Sequence, residues 1–182
     1  GTYQNINAAK DILAMLIEQA GGEITTPPSQ GQVNAALSQG GTASNAGQNA
    51  LAFYTEFANP SESEYSWNNS LPNAQQAFAS GELAMYIGYA SEEPLIRAMN
   101  PNLNFAVAAT PQVRGAAHSV DGGVVYSLAI PKGASNPSGA LTIGYLIASA
   151  QLDDNLAVAL GIAPARRDAF SLGGTAGDNV LF

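Results

Sequence analysis

Four aromatic residues, Tyr65, Trp67, Tyr86 and Tyr89, lie in or beside expected loops together with Asn68, Asn69, Ser70, Ser91 and Glu92. Aromatic faces beside amide, hydroxyl and carboxylate groups suit a ligand with apolar C–H faces and polar edges, and a sugar ring is such a ligand. Each residue also has a plainer use. A lone tryptophan in a polar loop is often part of a core edge, and Tyr86, inside an expected strand, reads more naturally as core. Carboxylates occur close together as Glu62/Glu64, Glu92/Glu93 and Asp153/Asp154. A glycosidase needs two carboxylates about 5–9 Å apart across a cleft, and sequence alone places no two there. The adjacent acids at 92/93 and 153/154 read more simply as partners of a helix dipole. His118, the only histidine, sits in a Gly/Ala/Ser loop and reads as a solvated side chain. Asn68-Asn69-Ser70 has the form of a glycosylation sequon, a match expected by chance.

Other chemistries are absent from the chain. It has no G-x-S-x-G elbow, no H-E-x-x-H, no P-loop and no calcium-loop spacing. Cysteine is missing, which removes thiol catalysis, zinc-thiolate and iron–sulfur sites and any disulfide framework. No catalytic residue, metal ligand or cofactor is therefore assigned. Net charge is −8, and the six basic residues (Lys10, Arg97, Arg114, Lys132, Arg166 and Arg167) are scattered. Nucleic acid and anionic membrane surfaces are poor partners for such a chain. Hydrophobic residues make up 46% and charged residues 11% of the 182, so a sizeable core is possible and surface polarity falls to Asn, Gln, Ser and Thr. No apolar run is long enough to span a membrane. The chain opens Gly1-Thr2-Tyr3 without a signal peptide, and it ends on apolar residues. It is read as a fragment in preference to a processed whole.

The elements that must position these residues follow from periodicity. Residues 5–20 predict an amphipathic helix carrying Ile6, Ala9, Leu13, Leu16, Ile17 and Ala20 inward, with Asn5 as cap and Gly21-Gly22 as stop. Residues 23–45 are polar and turn-rich, broken by Pro27-Pro28 and Gly40-Gly41. A second helix is expected at 45–58, burying Ala46, Ala50, Phe53, Tyr54 and Phe57, and a short one from Pro72 to Ala79 before Gly81. Strands are expected at 83–87, 104–109 and 124–130. Helices are expected at 91–99, from Pro137 to about Ala150, and from an Asp153 cap to Gly161. Alternation of strands and helices without tight Asn-Gly or Asp-Gly hairpins predicts an α/β fold with crossover connections.

The most informative stretch is Phe78 to Gln112, where a helix end, a strand, the Gly88-Tyr89 turn, a second helix and a second strand follow in order. A phrase close to F-x-x-G-x-x-A-M stands as Phe78, Gly81, Ala84 and Met85. It is followed by Asn100-Pro101-Asn102-Leu103-Asn104-Phe105, Pro111-Gln112, then Gly122-Gly123 with an apolar strand and Pro131-Lys132-Gly133. Gly161, Pro164, Ala165 and Arg166 complete the series, and the helix expected at 45–58 with Tyr65-Ser66-Trp67-Asn68 precedes it. Each match is loose, but their order and spacing over about 120 residues resemble the extracellular solute-binding proteins of ABC importers. The resemblance is to the large sugar-binding branch that includes maltose-binding protein.

The resemblance implies a periplasmic-binding-protein-like (type II) lobe, a mixed sheet flanked by helices, in a protein whose two lobes close on a ligand. By it, 1–109 belong to the second lobe, 110–123 form a hinge or crossover, 124–160 return to the first lobe, and 161–182 lead back toward the second. Ligand contacts are implied for Trp67, Gly88, Tyr89 and Ser91, and less directly for Asp121, Gly122 and Gly123; Arg166 is the weakest candidate, with a structural ion pair as its alternative. The implied partners are a small-molecule ligand, with carbohydrate first, and an ABC permease. The implied location is periplasmic or extracellular, with a lipid anchor compatible with the complete protein. Whole members of the family are about twice as long, so much of the cleft lies outside this chain. Three alternatives stay open: the same fold holding a polyamine, peptide or metal chelate; a secreted glycan-processing enzyme, which needs a carboxylate pair; and a self-associating fragment that binds no ligand.

Overall fold

A computed structural model describes residues 2–27, 29, 31–37, 45–115, 118–160, 162, 164–166 and 168. The expected breakers Pro28, Gly40 and Gly41, the helix stop Gly161 and the chain beyond 168 lie outside the described residues. Among the described residues six α-helices are present: α1 Ala9–Gln19, α2 Ala46–Glu56, α3 Ala74–Ala79, α4 Glu93–Met99, α5 Pro137–Ile147 and α6 Ala150–Leu160, with a 3₁₀ turn at Ala90–Glu92 before α4. The chain divides into two compact units, Gly1–Gly88 with Thr110–Gly123, and Tyr89–Ala109 with Val124–Phe182.

In the first unit α1 packs on α2. Ala9, Met15, Ile17, Ala46 and Ala50 are buried, so much of the contact is made by alanine, whose small side chain lets helix backbones approach closely. α1 ends as its glycines require. Gly21 has φ 79, its N–H bonds Glu18 O at 2.9 Å, and Gly22 N–H bonds Ile17 O at 2.9 Å, the paired pattern of a Schellman stop. A Cβ at Gly22 would come within 2.7 Å of Ala46 Cβ, which brings the end of α1 against the start of α2. The start of α1 departs from expectation. Helical geometry begins at Ala9, Ala8 occupies the cap position without a side-chain bond, and Asn5 is recruited elsewhere. Phe53, expected inside, is half exposed and meets Phe57 edge-on at 5.2 Å. α3 is capped by Asn73, whose Oδ1 accepts from Gln75 N–H at 3.0 Å, and Pro72 lies just outside the helix. Gly81 (φ 84) ends it.

In the second unit Ile96 of α4 is buried, and Arg97 pairs with Glu93 at 2.6 Å while lying 4.6 Å over the Phe105 ring. Asn136 caps α5 through Gly139 N–H at 2.9 Å. The expected run to Ala150 is interrupted at Ser149, whose hydroxyl donates to Leu146 O at 2.7 Å. α6 then starts at Ala150, so Asp153 lies in its first turn rather than at its cap.

The mixed sheet is not shown. Among the described residues the only β-pairings are the isolated antiparallel bridges Thr25↔Ala35 and Ser29↔Gln32, inside the stretch expected to be turns. Segments 83–87, 104–109 and 124–130 carry no ladder. Their sequence pattern reports how side chains would be buried, whereas a strand also needs a neighbouring backbone to take its N–H and C=O groups. Segment 103–108 keeps the strand alternation, with Leu103, Phe105 and Val107 partly covered and Asn104, Ala106 and Ala108 exposed. Segment 124–130 is exposed throughout, Val125 at 84% and Tyr126 at 94%.

Candidate functional site

Trp67 belongs to the first unit. The backbone N–H groups of Ser66 and Trp67 both bond Phe57 O, at 3.0 and 3.1 Å, which hangs the loop from the end of α2. Asn68 turns it back: its Oδ1 accepts from Ser70 N–H at 2.8 Å and its Nδ2 donates to the Tyr65 hydroxyl at 2.6 Å. Tyr65, Trp67 and Asn68 are thus brought together as their sequence neighbourhood suggested. The indole ring lines a cavity of about 420 Å³ with Met15, Leu16, Tyr54, Phe57 and Tyr86. Tyr86, read as core, is only partly buried and stacks on Phe78 at 5.9 Å.

The polar groups of Trp67, Tyr54 and Gln19 at this cavity are engaged by protein. Trp67 Nε1 donates to Asn5 Oδ1 at 2.9 Å. The Tyr54 hydroxyl donates to Thr2 O at 3.1 Å, and burial raises its pKa, because an apolar setting disfavours the phenolate. Gln19 Nε2 donates to Pro111 O at 3.1 Å and Val120 O at 3.2 Å, tying α1 to segment 110–123. Gln112 closes that segment on itself, accepting from Val120 N–H at 2.9 Å and donating to Val120 O at 3.1 Å. Asp121, exposed, accepts the Thr110 hydroxyl. Gly122 makes only ordinary contact, its would-be Cβ 3.8 Å from Asp11 O, and a Cβ at Gly123 would meet nothing within 4 Å. Neither glycine has a positive φ.

Gly88 closes the first unit's segment and Tyr89 opens the second unit. Tyr89 N–H donates to Glu92 Oε2 at 3.1 Å and Glu92 N–H returns a bond to Tyr89 O at 2.9 Å. This reciprocal pair forms the turn into α4, with Ser91 exposed inside it. Glu92 and Glu93 lie at the start of α4, where the sequence reading puts them, and Glu93 also pairs with Arg97, which that reading does not include. Arg166 forms a two-point pair with Asp168, at 2.8 and 2.6 Å, and reaches Ala148 O at 3.2 Å. The pair raises the Arg166 pKa and lowers that of Asp168. Arg166 is thus an ion-pair partner in this structure, the alternative noted for it. His118 is exposed.

Two features were not legible beforehand. Glu56 joins Glu62 and Glu64 to bring three carboxylates within 4.8 Å of one another. Glu62 and Glu64 are exposed; Asn59 Nδ2 donates to Glu62 at 3.3 Å and the Ser63 hydroxyl donates to Glu64 at 2.6 Å. Asn5 is the second. An asparagine ahead of an amphipathic run signals a cap, and nothing local signals partners more than sixty residues away.

No helix among the described residues is long and apolar enough to cross a membrane. No curated protein and no solved structure matches the chain. The family described as bacterial extracellular solute-binding protein matches residues 2–143. That span holds α1 to α4, the Trp67 loop, the Gly88-Tyr89 turn and segment 110–123. The match extends over most of the 182 residues, and the chain belongs to this family of extracellular, solute-binding components of bacterial transport systems.

Proposed function

We propose that the chain is the substrate-binding component of an ABC importer, taking a carbohydrate between two lobes and delivering it to a membrane permease, and that it performs no catalysis. The observation that carries this reading is the family match over residues 2–143, within which Trp67, Gly88, Tyr89, Ser91, Asp121, Gly122 and Gly123 all fall. Trp67 and Tyr89 would stack on sugar faces, Ser91 and Asp121 would meet hydroxyl edges, and Gly88, Gly122 and Gly123 would let a ligand come close to backbone. In the complete protein, 1–109 would form the second lobe, 110–123 the crossover, 124–160 the part that returns to the first lobe, and 161–182 the way back. Its place is periplasmic or extracellular, and a lipid anchor is compatible with it.

The test is titration calorimetry of the chain against glucose, galactose, maltose and cellobiose, with spermidine and a tripeptide alongside. Saccharide binding, weakened about ten-fold or more by Trp67→Ala or Tyr89→Ala without loss of fold, is expected for stacking rings. Binding of spermidine or the tripeptide alone would replace sugar by a cationic or peptide ligand. A second reading, self-association, is favoured by the exposed run at 124–130 together with α5, which buries none of its residues. Unpaired strand-like segments and apolar patches of this kind invite pairing with another copy, and light-scattering mass decides it.

A further inference from the structure

We propose that Asn5 is a positioning residue for Trp67, fixing the indole so that only its ring face, and not its N–H, is left for a ligand. This rests on the reading above that Trp67 is a ligand-stacking residue. Asn5 is 8% exposed, and all four hydrogen-bonding positions of its carboxamide are used. Its Nδ2 donates to Asn68 O and Leu71 O, both at 2.9 Å. Its Oδ1 accepts from Trp67 Nε1 at 2.9 Å and from the Thr2 hydroxyl. Both partners of the nitrogen are carbonyls and both partners of the oxygen are donors, so the amide has one possible orientation. The main chain adds to the joint, because Asn5 O accepts from Ala74 N–H at 2.9 Å and Asn7 Oδ1 accepts from Asn73 Nδ2 at 2.7 Å.

Residues 2–7 therefore tie together the entry to α1, the loop 67–71 and the entry to α3. Thr2 O, accepting from Tyr54, adds α2. Few side chains fit at position 5. Aspartate accepts from the indole but has no N–H for the two carbonyls. Leucine fills the space and satisfies neither, and glutamine places its amide one methylene too far along. An indole N–H held this way is unavailable to a sugar hydroxyl. Recognition by Trp67 must then be by its face, which favours ligands presenting a contiguous C–H surface over ligands that present only acceptors.

The experiment uses the 182-residue chain, whose single tryptophan makes indole emission a report on this one site. Acrylamide quenching and the emission maximum are measured for the unaltered chain, Asn5→Asp and Asn5→Leu. Asn5→Asp keeps an acceptor and is expected to leave the emission in place while lowering the melting temperature. Asn5→Leu is expected to move the emission and raise the quenching constant. Emission moving equally in both variants, or in neither, would overturn the proposal. A double-mutant cycle with Trp67→Phe, which keeps a ring and removes the N–H, gives a second readout. Asn5→Leu and Trp67→Phe are each expected to lower the folded-to-unfolded ratio about 5- to 30-fold, with the double variant losing much less than the product. Full additivity would refute coupling. If Asn5→Leu does not fold, Asn5→Asp against Trp67→Phe carries the same comparison: coupling between them supports the proposal and additivity overturns it. Trp67→Ala titrated with the four saccharides separates the two ideas. Unchanged saccharide binding with the expected emission pattern removes Trp67 from the ligand site and leaves its positioning by Asn5 standing.

Discussion

Alanine at two glycines should have different consequences, and the contrast can be worked from geometry. Gly47 lies in the first turn of α2, and a Cβ there would stand 2.1 Å from Leu37 O and 2.9 Å from Leu37 C. A carbon that close to a backbone oxygen forces a retreat of about 1 Å, an overpacking cost of roughly 1–3 kcal/mol. The retreat also breaks the Gly47 N–H bond to Leu37 O, 2.9 Å long, for about 1 kcal/mol more. Against this stands a helix-propensity gain of at most about 1 kcal/mol. Gly47→Ala is thus expected to destabilise by about 1–3 kcal/mol, or roughly 2–12 °C in melting temperature for a chain of this length. A Cβ added at Gly123 would meet nothing within 4 Å among the described residues, and the residue has no positive φ, so Gly123→Ala should change stability by less than about 0.5 kcal/mol. If Gly123 admits a ligand close to backbone, the same alanine weakens saccharide binding about ten-fold. Urea melts at constant m-value and calorimetry read the two effects apart. A Gly47→Ala chain that melts at or above the unaltered one would refute the close approach of residue 37 to α2. Unchanged binding by Gly123→Ala would take that glycine out of the site.

Three further outcomes can be checked. The Tyr54 pKa is raised above its ordinary value of 10.0 by burial, so its contribution to stability is whole below pH 10 and is lost as pH rises through the folded value. Tyr54→Phe should flatten that alkaline limb and cost about 1 kcal/mol through the lost bond to Thr2 O, and melts from pH 8 to 11 would show both. Asp168 has the opposite sign: its pKa is lowered by Arg166, so its contribution holds above the ordinary carboxylate value and fades as pH falls through the folded one. NMR titration of the Asp168 carboxyl in Arg166→Gln should find it moved back upward, and no movement would dissolve the pair. Tyr126→Lys, at a side chain 94% exposed, should leave melting unchanged to within about 0.5 kcal/mol. If copies pair through 124–130, it should also lower the mass seen by light scattering.

Much of the helical layout was legible because its causes are local. The apolar spacing of Ala9 and Ile17, the Gly21-Gly22 stop, Gly81 at the end of α3 and Pro137 at the start of α5 act within a turn or two of chain. Even here the neighbours adjust the result. Met15 is buried whereas Leu13 and Leu16, expected inward, are only partly covered, and Phe53 is half exposed, because the alanine face of α2 is what meets α1.

Family membership, then, was determined by the order of phrases along the chain, and so were the helices and the absence of thiol and paired-histidine chemistry, since residue identity and near spacing fix all of these. Only the tertiary structure decided that Asn5 serves Trp67 and Leu71 instead of capping α1, and that Glu56 joins Glu62 and Glu64. It also decided that 83–87, 104–109 and 124–130 run without a ladder. The Asn5 bonds and the missing ladders share one reason. A hydrogen bond to a distant backbone depends on where the chain returns after some sixty residues, and a strand exists only when another backbone lies beside it, so neither leaves a mark in the spacing of its own residues.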